Sequence, residues 1–242
     1  MIPRFHCPFP LAPGAVVDLP PEAAHHATKV LRMSEGDGVT LFDGRGGEWF
    51  GRLRRAGKAV TVALETFDGA DREPPITITL AQGLPAADKM DWIVQKGVEL
   101  GVARIVPVVT RRSVIRLSGE RMERRVAHWQ AVAVAACEQC GRNRVPEVSA
   151  LVDLPQFLGT AAVDNGIRLL LAPEAGARLA DLPNPAGPVT LLVGPEGGFE
   201  EGEVAAAAST GFHALGLGPR VLRTETAGMA ALVAMLTLWG DF

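Results

Sequence analysis

The chain has 242 residues and a net charge of −3, with 48% apolar and 21% charged side chains. That balance belongs to a globular protein of one or two domains and not to a disordered one. No apolar run reaches the roughly 18 to 20 residues that a membrane span needs. The opening MIPRFHCPFP lacks the basic and apolar regions of a secretory signal. Three cysteines, Cys7, Cys137 and Cys140, make no disulfide framework. A cytoplasmic, reducing compartment is therefore expected, with no membrane and no metal.

In chain order, PPEAAHHATKVLRM reads as a helix that opens on Pro-Pro and stops before Ser34-Glu35-Gly36. VTLFDG, EWFGRLRR and AVTVALE follow as strand-like runs broken by the turns GRGG and AGK, as in a compact barrel or sandwich. DREPP, residues 71–75, is a linker, because Pro-Pro continues neither element. This predicts one domain over residues 1–70 and a second over 74–242.

Beyond the linker, strand and helix alternate, which implies a parallel sheet covered on both faces. ITITLAQ is a strand and DKMDWIVQKGVELG an amphipathic helix stopped by Gly101. ARIVPVV is the next strand. GERMERRVAHWQAVAVAACEQCGR is a long helix with Met122, Val126, Trp129 and Ala133 on one face. IRLLLAPE, VTLLVGPEGG and FHALGLG supply further strands, and EEGEVAAAASTG a helix closed by Gly211. The terminal TAGMAALVAMLTLW is apolar nearly all round, so it is either a central core helix or is buried against a second subunit; a homodimer is the favoured expectation.

Three strands end in turns suited to a ligand: LLLAPE (169–174), LLVGPEGGF (191–199) and LGLGPRVLRTETA (215–227). Gly194, Gly197 and Gly198 lie between a strand and a helix, where missing Cβ atoms admit a ligand to the backbone. No Gly-Lys-[Ser/Thr] follows them, so the lysine and hydroxyl of a triphosphate loop are missing. Apolar Leu215, Leu217, Val221 and Leu222 with open backbone groups suit an adenine and ribose instead.

Cys137-Glu-Gln-Cys140 has no second pair and no histidine cluster, and His25-His26 has no carboxylate at ligand spacing. Nine arginines face three glutamates between Arg104 and Arg144, so the middle third is able to touch nucleic acid.

Together these stretches resemble the RsmE family of small-subunit ribosomal RNA uracil-N3 methyltransferases, of the SPOUT class. The resemblance runs through IPRF (2–5), HHATKVLRMSEGD (25–37), LFDGRGGEW (41–49), KMDWIVQKGVELGV (89–102), TRRSV (110–114), CEQCGRNRVPEV (137–148), LVGPEGGF (192–199) and LGPRVLRTETA (217–227). Cys140 departs from the small residue, often serine, expected there. The resemblance implies an α/β protein with an N-terminal PUA-like β-barrel and a C-terminal SPOUT domain holding a deep trefoil knot.

It further implies S-adenosylmethionine as cofactor, 16S ribosomal RNA in the 30S subunit as substrate, and a homodimer. The cofactor would be held by Leu171, Ala172, Pro173, Val193, Gly194, Pro195, Glu196, Gly197, Gly198, Leu215, Leu217, Gly218, Val221, Leu222, Thr226 and Ala227. Arg223 and Glu225 are the first candidate catalytic pair, though they could equally cap the last helix. Glu138 and Arg142 form a second catalytic group. Arg4, Arg32, Arg111 and Arg112 are expected to grip RNA phosphates. The competing readings are methylation of another base or of a ribose 2′-hydroxyl, and a non-catalytic RNA-binding homologue; intact glycines and the Arg223/Glu225 pair argue against decay.

Overall fold

A computed structural model of the chain describes residues 2–56, 59–86, 88–113, 119–161 and 166–242. It divides into two compact units, Met1–Glu73 with Val134–Val145, and Pro74–Ala133 with Pro146–Phe242. Gly57 and Lys58 of the expected AGK turn, and the last residue of TRRSV, fall outside the described residues.

The first unit holds strands β1 (Arg4–His6), β2 (Val16–Asp18), β3 (Gly38–Phe42), β4 (Glu48–Ala56) and β5 (Ala59–Asp68), in the order β1-β3-β4-β5-β2. The β1–β3 pair is parallel and the other pairs are antiparallel. Strand side chains alternate across a sheet, so Leu41, Leu53, Val62 and Leu64 share the buried side with Phe5 and Cys7. β1 and β2 repeat that alternation over three residues each.

The helix α1 (Pro21–His25) starts with proline at its first position, where a missing N–H costs nothing. It widens into a π-helical turn over His26–Val30 and ends on Arg32, whose φ is +53°. Met33 N–H reaches back to the Ala27 carbonyl at 2.9 Å across this turn. Glycine is the usual residue at such a left-handed helix stop, so an arginine here stands at a conformational cost.

The second unit contains β6 (Ile78–Gly83), α2 (Lys89–Glu99), β7 (Arg104–Val109), α3 (Glu120–Cys140, the last turns of which belong to the first unit), β8 (Glu147–Val148), β9 (Val152–Asp153), α4 (Leu154–Ala161), β10 (Ile167–Leu171), β11 (Val189–Val193), α5 (Glu201–Ser209), β12 (Phe212–Leu215) and α6 (Thr224–Trp239). The strands form a parallel sheet in the order β12-β10-β11-β6-β7-β8, with β9 also on β7. Every residue of β11 is buried, as expected of a strand covered on both faces.

The α6 helix buries Met229, Leu232, Met235, Leu236 and Trp239 and leaves Val233 and Leu238 exposed. Its packing thus resolves a face that its nearly uniform apolarity concealed. The consequence for function lies in the strand order: β10, β11 and β12 are neighbours and parallel, so their three C-terminal loops converge.

Candidate active site

The converging loops enclose a cavity of about 650 Å³, within the size range of small-molecule sites. All the residues expected at the cofactor except Thr226 line it. Thr226 is exposed two positions into α6, and the buried Thr224 takes its place in the wall. Helical geometry explains the exchange, since residues two apart point to nearly opposite sides. Ala175, Phe199, Val204 and Ala214 add to the wall, together with the rim residue Arg112.

The glycines let the loops pack this tightly. Gly198 has φ +67°, and a Cβ on Gly194 would come within 3.1–3.3 Å of Phe199 and Gly198. Gly216 brings the β12 loop against the β10 loop: its N–H donates to the Ala177 carbonyl at 3.0 Å. A Cβ at Gly216 would lie 2.3 Å from the Ala175 carbonyl oxygen.

A buried polar lock lies behind the wall. Gln82, at the end of β6, donates through Nε2 to Thr224 Oγ1 at 2.8 Å and to the Gly83 carbonyl at 2.9 Å. Thr224 donates onward to the Gly194 carbonyl at 2.5 Å. The acceptors around Gln82 dictate its orientation and leave its Oε1 without a hydrogen bond. The GPEGG turn is further anchored by α5, where the Glu203 carboxylate takes the Glu200 N–H at 2.9 Å and the Arg111 N–H at 2.8 Å.

Charge gathers at one edge. Arg223 is exposed at the N-cap of α6, between Leu222 and Thr224 in the cavity wall. Glu225, in the first turn of α6, lies 3.3 Å from the Lys89 ammonium. That contact is an ion pair without a well-directed hydrogen bond, because Glu225 Oε2 remains a buried, unbonded oxygen. Lys89 also pairs with Glu196 at 2.9 Å. Burial would raise the Glu196 carboxyl, but the Lys89 bond and backbone N–H donors outweigh it and hold the group below its usual range. Arg112 donates to the Gly197 carbonyl at 2.7 Å, so one expected RNA contact also braces the cavity rim.

Three further expected residues, Arg4, Glu138 and Arg142, lie in the first unit and are engaged there. Arg4 does not offer its guanidinium to solvent. It pairs with Glu48, bonds Asn143 and the Gly141 and Arg142 carbonyls, and stacks 5.1 Å over the Phe42 ring, with its side chain only 10% exposed. Arg142 is buried and makes a two-toothed pair with Glu73. Glu138 accepts the His6 backbone N–H at 2.9 Å. All three make contacts that hold the 134–145 segment within its unit.

Burial pushes the Glu138 carboxyl above its ordinary range, against the opposing pull of the His6 N–H and nearby cations. A carboxyl raised on folding weakens stability as pH climbs from its unfolded pKa through its folded one. Glu138→Gln keeps an acceptor for His6 and removes the buried charge. Its melting temperature should exceed that of the parent at pH 7 to 8, and the difference should vanish towards pH 4, as differential scanning calorimetry can read.

Burial also pushes the Cys7 and Cys137 thiols up to about 12, and Cys137 donates to the Arg144 carbonyl. Cys137 is therefore a packing residue and not a thiolate. Among the described residues no group of His, Cys, Asp or Glu could hold a metal ion.

Gln82, Thr224 and Lys89 escaped the sequence reading. Gln82 ends an apolar run and Lys89 opens a helix in its disfavoured turn, but neither signal names a partner.

Residues 72–236 match the RNA methyltransferase domain model, and residues 19–65 match the RNA methyltransferase PUA domain model. The Bacillus subtilis ribosomal RNA small subunit methyltransferase E is 34% identical over 88% of this chain and 87% of its own length. Its counterpart from Buchnera aphidicola of Schizaphis graminum is 30% identical over 99% of this chain and 98% of its own. Among solved structures, the Neisseria gonorrhoeae ribosomal RNA small subunit methyltransferase E bound to S-adenosyl methionine superposes with a TM-score of 0.94, at 40% identity and full coverage of both chains. A Legionella pneumophila protein in complex with SAM matches at a TM-score of 0.95 and 37% identity, again with both chains fully covered. With near-complete coverage by sequence and by fold, this chain belongs to the ribosomal RNA small subunit methyltransferase E family.

Proposed function

We propose that the chain transfers a methyl group from S-adenosylmethionine to N3 of a uridine in 16S ribosomal RNA within the 30S subunit. The observation that carries this reading is the three-loop cavity, with apolar walls and glycines where a Cβ would fill the space. Leu171, Leu215, Leu217 and Leu222 would flank the adenine, and the 194–198 backbone would meet the ribose and methionine portion. The cofactor supplies an electrophilic methyl on a sulfonium.

Uracil N3 carries a weakly acidic proton, and its loss spreads negative charge over O2 and O4. Arg223, exposed beside the wall, is placed to stabilise that anion. Glu225, ion-paired with Lys89 in the first turn of α6, is the candidate acceptor for the proton. The two groups divide the work, one holding charge and the other the proton.

In this reading residues 1–70 bind RNA and residues 74–242 carry out transfer. Arg32, Arg111 and Arg112 are the proposed phosphate contacts. The left-handed backbone of Arg32 supports its inclusion, because strained positions persist where a side chain is needed. The close crossing at Gly216 and Ala175 fits the knotted path of a SPOUT domain. The setting would be the cytoplasm, where free thiols stay reduced; no helix among the described residues is long and apolar enough to cross a membrane.

The chain would pair with a second copy through the exposed apolar side of α6. Val233 and Leu238 are 41% and 47% exposed there. Val233→Glu should therefore yield a folded monomer by light scattering, whereas Leu232→Glu, placed in the core, should not fold.

Nucleoside mass spectrometry of 16S RNA from cells lacking the gene tests the activity. Loss of N3-methyluridine, restored by the wild-type gene, is expected. Unchanged N3-methyluridine with loss of another methylated nucleoside would replace the uracil assignment.

A further inference from the structure

Two separate connections tie the GPEGG turn to the start of α6. The inner one is the buried Gln82–Thr224–Gly194 lock, shielded from solvent and continuous with the core. The outer one is Lys89. Its ammonium stands 2.9 Å from Glu196 Oε1 in the turn and 3.3 Å from Glu225 Oε2 on α6. Glu196 is held from its other side by the Ala86 N–H at 3.0 Å.

Helix stability does not explain a lysine at this position. Lys89 is the first residue of α2, at the end of a helix where a cation is disfavoured. It is 30% exposed, while Glu225 is 19% exposed, so the pair is partly shielded and still within reach of salt. One of the two carboxylates it joins, Glu196, lines the cavity in the GPEGG turn, and the other, Glu225, lies in the first turn of α6. Without the ammonium they would repel one another, and the turn and the helix start would move apart.

We propose that Lys89 is a positioning residue: its ammonium clamps Glu196 to Glu225, so that two of the three cavity loops stand in their ligand-binding arrangement before the ligand arrives. This rests on the reading that the cavity takes S-adenosylmethionine. A clamp set in advance reduces the ordering cost of binding. It also fixes the Glu225 carboxylate at the start of α6, two residues after Arg223.

Lys89→Met removes the charge and keeps most of the stem, and Lys89→Arg restores a cation. Hydrogen exchange in the ligand-free proteins reads the clamp without any ligand. Residues 194–199 and 223–227 should exchange faster in Lys89→Met and return towards wild type in Lys89→Arg, with the melting temperature of both variants close to that of wild type.

Calorimetry with S-adenosylmethionine and with S-adenosylhomocysteine, which lacks the sulfonium charge, reads the consequence. Lys89→Met should lose roughly tenfold in affinity for both ligands, about 1.4 kcal/mol. Wild-type affinity should fall with added salt, and that of Lys89→Met should not. Unchanged exchange in the two segments overturns the clamp, as does an affinity change that differs between the two ligands, which would mark a direct electrostatic effect on the sulfonium. If exchange responds as described but the wild type binds neither ligand, the clamp stands and the cofactor reading falls.

Discussion

Gly216→Ala should abolish most cofactor binding while leaving a folded protein. The added Cβ would sit 2.3 Å from the Ala175 carbonyl oxygen, and backbone cannot rotate away as a side chain can. The β10 and β12 loops must separate, breaking the bond from Gly216 N–H to the Ala177 carbonyl. Overpacking of this kind costs roughly 1 to 3 kcal/mol, which corresponds to about 5- to 150-fold in affinity if the strain is released in the open loop. Gly202 supplies the control, because a Cβ there meets nothing within 4 Å inside α5. Gly202→Ala should bind as wild type and melt slightly higher, since alanine suits a helix better than glycine. Normal calorimetric affinity in Gly216→Ala would remove the loop crossing from the cofactor site.

Arg223→Ala and Arg32→Ala should fail in opposite ways. Arg223 stands beside the cavity wall at the start of α6. Its loss should slow single-turnover methyl transfer by roughly 10²-fold or more, as loss of an anion-stabilising donor does. RNA affinity should change little. Arg32 lies at a strained helix stop in the first unit. Its loss should weaken RNA binding, lower the salt slope by about one, and spare the cofactor. The assembled small subunit is the substrate for both measurements. Equal effects of the two variants on transfer and on RNA affinity would contradict the proposed division between units.

Local pattern determined much of this molecule. The buried run of β11, the glycines behind it and the acidic start of α5 are neighbours in the chain, so their meaning is local. The sequence pattern did not show α4, although Asp153 accepts the Gln156 N–H and Leu154, Phe157, Leu158 and Ala161 share one side. Pro155 and Gly159 disguise it as loop. The three ligand loops could be named because strand ends are local features, and their motifs occur in a recognisable order.

Tertiary structure decided which charges are open and which face of α6 is covered. Arg4 and Arg32 are both arginines near turns, yet one is enclosed by Glu48, Asn143 and Phe42 while the other is exposed. Leu232 and Val233 are adjacent and similar, and only packing buries the first. Gln82 and Thr224 bond across 142 residues of chain. No periodicity records a partner at that distance. A helix or strand pattern fixes where a side chain points relative to its own element, whereas burial and pairing depend on what the fold brings to meet it.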